Sequence, residues 1–536
     1  MLPISSFSIA STGNSQQSRI WISAFALLAC LSIHVQITQA SLPLSNDSEH
    51  LNVKRSDFPN DFVFGSSTSA AQIEGSSKSE GKGPSVWDIF LQENPDMVVD
   101  KSNLDVAIDS YRRYKKDVLA LRDLGLDAYR FSIPWTRILP NGTLDGGINQ
   151  KGIKHYNNLI DELLKHGIKP FVTLMHFDLP QAIEDKYGGF LNRRVVEDFK
   201  NYAELCFKTF GDRVKHWFTI NEPLIITKYG YVNGLAPPGR CSDRKSCPFG
   251  NAATEPYIAG HHLLLAHATA VKVYKEKYQA AQGGQIGWSH VAEYFKPYSN
   301  SLFDKAAAKR MIDFEFGWFV EPVIRGDYPQ SMRRLVKDRL PIFTSEEKNL
   351  IKGSFDFIGL NYYTSRYAKH VPIDPKAAPI SYFEDEHVNA TVAKDGVDIG
   401  PKAPGNSYVY IYPKGLYKML KFMEKNYHKN LTIYITENGV TQENNNNTSI
   451  RQGLNDQHRI EFIQKHLHQI RKAIKDGMNV KGYFYWSSFD DFEWSEGYRE
   501  RYGLYYINHK NNFKRIPKKS AKWFHHFVNG GKKQAC

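Results

Sequence analysis

Short apolar segments alternate along the chain with longer segments whose apolar residues recur every three or four positions. We interpret eight of the short segments as strands, because each is rich in β-branched, aromatic or aliphatic residues. They begin at Phe62, Asp127, Lys169, His216, Gln285, Phe355, Thr432 and Val480. The longer segments have the period of amphipathic helices. One of them carries an apolar stripe of Tyr156, Leu159, Ile160, Leu163 and Leu164.

The connections between these segments differ in length. Helices lead into the next strand through short turns closed by glycine, as at Gly125 and Gly167, and glycine suits the left-handed position that ends a helix. Strands lead into the next helix through long segments, such as the one from Pro223 to Thr254. Eight such units predict a single α/β domain, a (β/α)8 TIM barrel with long βα loops. An open doubly wound sheet is the alternative fold.

The domain organisation follows from composition. The 536 residues are 41% hydrophobic and 23% charged, which is typical of a folded globular protein. No internal repeat and no Pro- or Gly/Ser-rich linker divides the chain. We therefore predict a signal peptide at 1–40, an N-terminal extension at 41–56, the barrel at 57–527 and a C-terminal tail at 528–536.

The N-terminus has the order of a secretory signal. Arg19 precedes the apolar stretch IWISAFALLACLSI, and Thr38 and Ala40 occupy small-residue cleavage positions. This stretch is short for a bilayer span, so we predict no membrane span. We expect the protein in the secretory pathway, either outside the cell in the apoplast or in the vacuole. A plastid transit peptide is the alternative, because residues 1–18 are rich in serine and lack acidic residues.

Cysteine and asparagine patterns agree with secretion. Cys241 and Cys247 flank the polar loop CSDRKSC; a local disulfide is plausible, and two free thiols are the alternative. Cys206 lies on one apolar helix face and is predicted to be a buried thiol. Candidate glycosylation sequons, and hence candidate surface positions, occur at Asn46, Asn141, Asn389, Asn430, Asn446 and Asn447.

Charge and ligand motifs exclude several function classes. Lys and Arg outnumber Asp and Glu by 69 to 56, for a net charge of +13, but the basic residues are scattered along the chain. A solvated basic surface explains them better than a nucleic-acid site, since no nucleic-acid-binding motif accompanies them. The sequence shows no metal-ligand spacing and no phosphate-binding glycine loop. We therefore predict no metal, no cofactor and no nucleic-acid partner.

Polar and aromatic residues lie at or near the ends of seven of the eight predicted strands. A single residue of this kind would be an ordinary structural group. A barrel brings its strand ends together at one face, so polar or aromatic residues at the ends of seven strands predict a single pocket. These residues are Gln72, Arg130, His176, Asn221, Glu222, Asn361, Tyr363, Glu437, Asn438 and Trp486.

Two of these residues, Glu222 and Glu437, form a candidate catalytic pair across the barrel. Hydrolysis of a glycosidic bond needs one carboxyl group to protonate the leaving oxygen and another to meet the positive charge at the anomeric carbon. Pro223 predicts an extended backbone at Glu222, and Gly439 predicts a sharp turn after Glu437. Asn221 and Glu222 can both reach the pocket only if the strand bulges or ends there.

The motifs TINEP (219–223) and YITENG (434–439) resemble the acid/base and nucleophile motifs of glycoside hydrolase family 1. The resemblance runs from about Asp57 to Phe527 and is closest in style to secreted plant β-glucosidases, including the small cysteine loop. Further matching segments are AQIEG (71–75), YRFSIPWTRILPNG (129–142), DLPQAIEDKYGGFLN (178–192), TEPYIAGHHLLLAHA (254–268), GSFDFIGLNYYTS (353–365) and DDFEWSEGYRERYGLYYI (490–507).

The resemblance implies a retaining β-glycosidase, above all a β-glucosidase that hydrolyses small-molecule plant β-glucosides through a covalent glycosyl-enzyme. It implies Glu437 as the nucleophile and Glu222 as the acid/base, with Arg130 and Tyr363 holding Glu437 ionised. The residues it implies for substrate binding are Gln72, His176, Asn221, Tyr363, Trp486, Glu493, Trp494 and Tyr502. We expect the Arg130 cation to lower the pKa of Glu437, and the charge of Glu437 to keep Glu222 protonated.

Several other functions compete with this interpretation. A related thioglucosidase would carry Gln at the acid/base position, where this chain has Glu222. Ala71, Phe177 and Asp491 depart from the usual residues of the family, which leaves open a glycosidase specific for diglycosides or a hydrolase of the same fold with a non-sugar substrate. A remote alternative is an inactive barrel that binds a sugar or a partner.

Overall fold

The computed structural model describes residues 52–374, 381–427, 430–445 and 448–530. The predicted signal peptide, the first part of the N-terminal extension and the last six residues of the tail lie outside these ranges. Three of the predicted sequons, Asn46, Asn446 and Asn447, lie outside them too.

Eight parallel strands form a closed barrel. They are β1 (Val63–Ser67), β2 (Ala128–Ser132), β3 (Lys169–Met175), β4 (His216–Asn221), β5 (Gln285–Val291), β6 (Phe357–Asn361), β7 (Ile433–Glu437) and β8 (Val480–Trp486). Each strand is hydrogen-bonded to its neighbours in the chain, and β1 pairs with both β2 and β8. This closure confirms the predicted (β/α)8 barrel and excludes the open sheet.

The predicted strands begin within two residues of the observed ones. Seven of them extend two to four residues too far at their C-terminal ends, and the segment from Phe62 ends at Ser67 as predicted. The segment from Thr432 was predicted to continue to Gly439, whereas β7 ends at Glu437. The last paired positions are polar residues themselves, since Glu437 pairs with Asn361 and Asn221 pairs with Ser289, and the strands end directly after them. Strand propensity alone does not register this change.

Helices surround the barrel. The α-helices are Ala70–Ile73, Val86–Glu93, Ser110–Asp123, Trp135–Ile138, Gln150–Lys165, Gln181–Tyr187, Arg194–Phe210, Pro223–Tyr231, Glu255–Val273, Ala280–Gln282, Leu302–Ile312, Trp318–Arg325, Gln330–Val336, Ser345–Ile351, Pro413–Asn426, Tyr382–Asp385, Ile450–Leu454, Gln457–Lys475 and Lys519–Val528. Short 3-10 segments occur at Arg55–Asp57, Pro95–Met97, Gly189–Leu191, Lys337–Arg339 and Trp494–Glu496, and π segments at Tyr274–Gln279 and Asp313–Gly317. Three small sheets lie outside the barrel. One has the three strands Tyr294–Pro297, Ser365–His370 and Val388–Thr391, and the other two each have two strands, Ala393–Lys394 with Val397–Asp398 and Tyr505–Asn508 with Lys514–Pro517.

The predicted apolar stripe of the helix Gln150–Lys165 is correct except at its last position. Tyr156, Leu159, Ile160 and Leu163 are buried against the barrel, but Leu164 is 39% exposed. Successive helix residues lie about 100° apart, so Leu164 falls outside the face that Leu163 shares with the others.

Local predictions about turns and cysteines are also confirmed. Gly125 and Gly167 have φ values of 75° and 74°, the left-handed conformation expected at helix ends. Cys241 and Cys247 form a disulfide, and Cys206 is a buried free thiol. The three sequon asparagines within the described ranges, Asn141, Asn389 and Asn430, are exposed.

A cluster of apolar side chains fills the N-terminal part of the barrel interior. Its members come from seven of the eight strands: Val63, Ala128, Phe171, Phe218, Phe357, Tyr434 and Phe484. Arg130 and Trp486 each lie two residues beyond a member of this cluster, and side chains two apart share one face of a strand. The guanidinium of Arg130 lies 5.1 Å from the centroid of the Phe218 ring. The polar site therefore begins directly above this apolar layer.

Across the described ranges, none of the helices has the length and apolar character that crossing a membrane would require.

Candidate active site

Glu437 is the last residue of β7, and both of its carboxylate oxygens accept hydrogen bonds. Arg130 Nη1 donates to Oε1 at 2.6 Å, and the Tyr363 hydroxyl donates to Oε2 at 2.7 Å. All three side chains are buried. A charge-assisted bond from arginine is among the stronger protein hydrogen bonds, so these contacts fix the orientation of the carboxylate.

Asn221 and Glu222 both reach the site because β4 ends between them. Asn221 is the last strand residue, and the β4–β5 register shifts between Phe218 and Asn221, which confirms the predicted irregularity. Glu222 has φ 43° and ψ 65°, a left-handed backbone, so the predicted extended conformation is wrong. Pro223 opens the next helix, a position where its missing N–H is not needed. The side chain of Asn221 accepts a hydrogen bond from Arg130 Nη2 at 2.6 Å.

Asn361, at the end of β6, links the two carboxylate environments. Its Nδ2 donates to Glu222 Oε1 at 2.7 Å and to Asn221 Oδ1 at 3.2 Å. Its own oxygen accepts a bond from Thr436 Oγ1 at 2.6 Å, which fixes the orientation of the amide. The sequence predicts Asn361 at the end of its strand without assigning it a role, and this strand-end position is the signal that it belongs to the site.

The two carboxyl groups have different electrostatic surroundings. Burial, reinforced by the negative charge of Glu437, raises the pKa of Glu222 to about 8, although the Asn361 hydrogen bond opposes the rise. Burial also raises the pKa of Glu437, and Arg130 and Tyr363 oppose that rise. The expected lowering effect of Arg130 is confirmed, but burial outweighs it, so the pKa of Glu437 is raised overall. The charge of Glu437 nevertheless acts on Glu222, so Glu437 ionises first.

Gly439 serves a different purpose from the predicted turn. Gly439 does not adopt a positive φ. A Cβ at this position would instead collide with the carbonyl oxygen of Trp486. Glycine therefore lets the segment after Glu437 approach the end of β8, which places Trp486 beside the site.

The residues predicted to contact the remaining sugar hydroxyls fall into two groups around the carboxylates. In the first, His176 Nε2 lies 3.3 Å from Asn221 Nδ2, and the His176 ring lies nearly parallel to that of Trp486 with centroids 5.8 Å apart. Burial lowers the pKa of His176 well below its usual value. A neutral imidazole next to an aromatic ring is suited to hydrogen bonding with an uncharged ligand.

The second group combines Gln72, from the helix Ala70–Ile73 after β1, with Glu493 and Trp494 from the loop after β8. Gln72 Nε2 donates to the Phe492 carbonyl at 2.9 Å and contacts Glu493 Oε2 at 3.4 Å. Burial, followed by the charge of Glu437, raises the pKa of Glu493 to about 8. The Trp494 ring packs on Trp87 with centroids 4.6 Å apart. These contacts hold polar groups and an aromatic face beside each other.

A cavity of about 250 Å³ opens over both carboxylates. Nine of the residues predicted for the site line it: Gln72, His176, Glu222, Tyr363, Glu437, Trp486, Glu493, Trp494 and Tyr502. Arg130 and Asn221 lie behind this lining and contact it through the hydrogen bonds described above. Lys228, Glu293 and Glu315 also line the cavity, and the sequence did not single them out.

The site offers acid–base and nucleophilic chemistry to an uncharged ligand. One buried carboxyl group holds its proton near neutral pH, and the other accepts two oriented hydrogen bonds. Among the described residues, no group of three or more His, Cys, Asp or Glu side chains is placed to hold a metal ion.

Comparison with known proteins gives the same picture over nearly the whole chain. The model of the family described as Glycosyl hydrolase family 1 matches residues 54–533. The chain belongs to glycosyl hydrolase family 1. The motifs TINEP and YITENG lie within the matched range.

Relatives and solved structures of the family agree. Beta-glucosidase 24 of Oryza sativa subsp. japonica is 52% identical over 479 residues, covering 89% of this chain and 94% of the relative. Raucaffricine-O-beta-D-glucosidase of Rauvolfia serpentina is 49% identical over 508 residues, covering 91% and 93%. The crystal structure of the rice Os3BGlu6 beta-glucosidase has a TM-score of 0.86 at 45% identity, covering 90% of this chain and 100% of that one. A mutant of that rice enzyme is in a covalent complex with Glc from GA4GE.

Proposed function

We propose that this protein is a retaining β-glucosidase that hydrolyses the O-glycosidic bond of small plant-type β-glucosides. The observation that carries the proposal is the buried pair of Glu222 and Glu437, each with its own hydrogen-bond partners and the first with a pKa of about 8. Membership of glycosyl hydrolase family 1 and the covalent glucose complex of the rice relative support it.

In the first step, Glu437 attacks the anomeric carbon as the bond to the leaving oxygen breaks. Glu222 gives its proton to that oxygen, so the aglycone leaves as a neutral alcohol or phenol. The product is a glycosyl ester on Glu437. Arg130 and Tyr363 keep the attacking oxygens oriented, and we assign to Asn221 the hydrogen bond to the sugar 2-hydroxyl.

In the second step, the negative charge at Glu437 is gone because it has become an ester. The pKa of Glu222 falls as that charge is removed, so its carboxylate can take a proton from water. The resulting hydroxide attacks the anomeric carbon and releases glucose and free Glu437. Two inversions at the same carbon retain the β configuration.

Proton NMR during hydrolysis of an aryl β-glucoside tests this proposal. We expect the β-anomer of glucose to appear first and the α-anomer to follow by mutarotation. An initial α-anomer would contradict retention, and release of no sugar would contradict glucosidase activity altogether.

We also propose that the protein passes through the secretory pathway. The N-terminal signal pattern, the Cys241–Cys247 disulfide and the exposed sequon residues Asn141, Asn389 and Asn430 support this. Mass spectrometry of the protein made in plant cells should show a chain that starts near Ser41 and carries N-linked glycans. An unglycosylated chain imported into plastids would contradict the proposal.

A further inference from the structure

The part of the cavity that would receive the aglycone is set by the helix that follows Glu222. If Glu222 protonates the leaving oxygen, as the proposed function requires, the aglycone lies against the residues after it. The helix Pro223–Tyr231 begins at the next residue. Ile225, Ile226, Lys228 and Tyr229 from this helix line the cavity, so they are the first candidates to contact an aglycone.

Four charged side chains form a cluster at this wall. We call Lys228, Glu315, Glu293 and Arg366 the aglycone cluster. Lys228 Nζ forms an ion pair with Glu315, and Arg366 Nε lies 2.7 Å from Glu293 Oε2. The side chains of Lys228, Glu315 and Glu293 are only 17%, 9% and 13% exposed, and all three line the cavity.

Burying two ion pairs at the wall of a cavity is not an efficient way to stabilise a fold. The desolvation of such pairs offsets much of their attraction, and well-packed apolar residues often stabilise as well or better. Buried charged groups in a cleft are therefore candidates for a functional role. Lys228 carries three N–H donors, and Glu315 accepts one of them, which leaves donor capacity for a ligand.

Lys228 is not among the main groups that act on the acid/base residue. Burial and the charge of Glu437 raise the pKa of Glu222, and the next contributions come from Asn361, Arg130 and Glu493. The carboxyl groups that act most strongly on Lys228 are Glu315 and Glu386. Because Lys228 lines the cavity, we infer its role in the reaction from contacts with the substrate.

The charge balance of the cluster indicates which ligands fit. Glu386 also acts on Lys228, but burial raises the pKa of Glu386 to about 8, so it holds its proton at neutral pH. The two cations and two carboxylates of the cluster then carry no net formal charge, and neither an anionic nor a cationic aglycone gains overall. Such groups instead present strong donors and acceptors to a neutral molecule that carries oxygen groups. Leu235, Pro237 and Pro238 line the same cavity and offer an apolar surface for a ring.

We propose that the aglycone cluster selects a neutral, hydroxylated ring as the aglycone, with Lys228 donating to one of its oxygens. Lys228 is then a specificity-determining residue. Two sources share this chemistry: a hydroxylated aromatic ring and a second sugar residue. Both carry ring hydroxyls that can accept a hydrogen bond from Lys228.

Matched substrates test the proposal. Phenyl β-glucoside and 4-hydroxyphenyl β-glucoside differ by one hydroxyl group at the far end of the aglycone, and cellobiose represents a second sugar. We expect the wild-type enzyme to have a kcat/KM about tenfold or more higher for at least one hydroxylated substrate than for phenyl β-glucoside, since a polar site discriminates against a ligand that leaves it unpaired. If phenyl β-glucoside itself is not hydrolysed, the proposed function fails and not this inference alone.

Lys228→Met and the double variant Lys228→Met/Glu315→Gln separate recognition from folding. The double variant removes the carboxylate charge that the single change leaves unpaired. In both, we expect kcat/KM for the preferred hydroxylated substrate to fall about tenfold, with less than a twofold change for phenyl β-glucoside. The basic limb of the pH profile should stay in place. Lys208→Met, at an exposed position of the helix Arg194–Phe210, is the matched control and should change neither substrate.

The two hydroxylated substrates also show whether the recognised hydroxyl groups belong to a second sugar or to an aromatic ring. A selective loss with cellobiose supports a second sugar, and a selective loss with 4-hydroxyphenyl β-glucoside supports an aromatic aglycone. Equal losses with phenyl β-glucoside and both hydroxylated substrates would overturn the proposal, because they would assign a purely structural role to the ion pairs. Unchanged kinetics with all three substrates in both variants would overturn it as well.

Discussion

The proton on Glu222 sets the upper pH limit of the reaction. Its pKa is raised to about 8 by burial and by the charge of Glu437, and only the protonated form can protonate the leaving oxygen. We predict that kcat/KM for a substrate with a poor leaving group falls as the pH rises through about 8. An alkyl β-glucoside measured from pH 4 to 10 gives this profile, and constant activity up to pH 10 would contradict the assignment of Glu222 as the acid.

The Tyr363 hydroxyl controls the opposite limb. Its hydrogen bond to Glu437 at 2.7 Å favours the carboxylate and lowers the pKa of that group. Tyr363→Phe removes the bond, so the pKa of Glu437 rises and activity is lost at a higher pH on the acid side. We predict that shift together with a fall in kcat/KM of about tenfold or more, because a hydrogen bond to a charged group contributes about 1.5–3 kcal/mol.

The control for this substitution is Tyr417→Phe. The Tyr417 hydroxyl donates to Asp476 at an exposed position, so its loss should leave both limbs of the pH profile unchanged. An acid limb that stays in place in Tyr363→Phe would show that the tyrosine does not act on the ionisation of Glu437.

At the scale of elements, the segment between the helices Pro223–Tyr231 and Glu255–Val273 supports one wall of the cavity. The Cys241–Cys247 disulfide closes this segment. Gly234 allows the close approach, because a Cβ there would collide with the sulfur of Cys247. Leu235 to Pro238, which lie between Gly234 and the disulfide, line the cavity.

Replacing both cysteines, Cys241→Ser/Cys247→Ser, tests the support that this disulfide gives. A loop this short contributes about 2 kcal/mol through the entropy of the unfolded chain. We predict faster limited proteolysis between residues 232 and 254 and a higher KM, with kcat nearly unchanged. Lys245→Ala, at an exposed position of the same loop, is the control, and proteolysis unchanged from wild type in the double variant would contradict the prediction.

The elements were predictable where local sequence determines them. Apolar runs located all eight strands, and Gly125 and Gly167 located two helix ends, because burial and backbone conformation leave a direct mark on residue type. The left-handed backbone at Glu222 was not predictable, since glutamate has no preference for it. It exists because neighbouring strands and the helix that starts at Pro223 impose it.

The site was predictable to a similar degree. The resemblance and the strand-end positions placed eleven side chains around one cavity, and the structure brings them together there. The lowering effect of Arg130 on the pKa of Glu437 was predictable, whereas the larger opposing effect of burial was not, because the depth of burial depends on the whole fold. Lys228, Glu293 and Glu315 were missed because three distant segments of the chain supply them.

For the whole molecule, the barrel separates stability from chemistry along its axis. The aromatic cluster around Phe171, Phe218 and Phe484 lies toward the N-terminal ends of the strands, whereas both carboxylates lie at the C-terminal ends. Packing within this interior layer stabilises the barrel. The catalytic groups rest on it through Arg130, which stacks over Phe218.

Phe171→Ala tests this separation. Phe171 is fully buried, and truncating such a side chain typically lowers the free energy of unfolding by about 3–5 kcal/mol. We predict a lower denaturation midpoint in urea, with kcat/KM at 20 °C within about threefold of wild type. Leu164→Ala, at a partly exposed helix position, is the control and should lower the midpoint much less. A large loss of kcat/KM in the folded Phe171→Ala protein would show that the two ends are coupled.

The left-handed backbone at Glu222 has a consequence for directed evolution. A non-glycine residue in this conformation costs about 1–2 kcal/mol, and glycine adopts it without that cost. A selection for thermal tolerance alone would therefore favour glycine at position 222 and enrich inactive variants. Libraries built to improve the stability of this protein need a screen for glucose release at every round, because one of the positions at which glycine relieves backbone strain is the proposed proton donor.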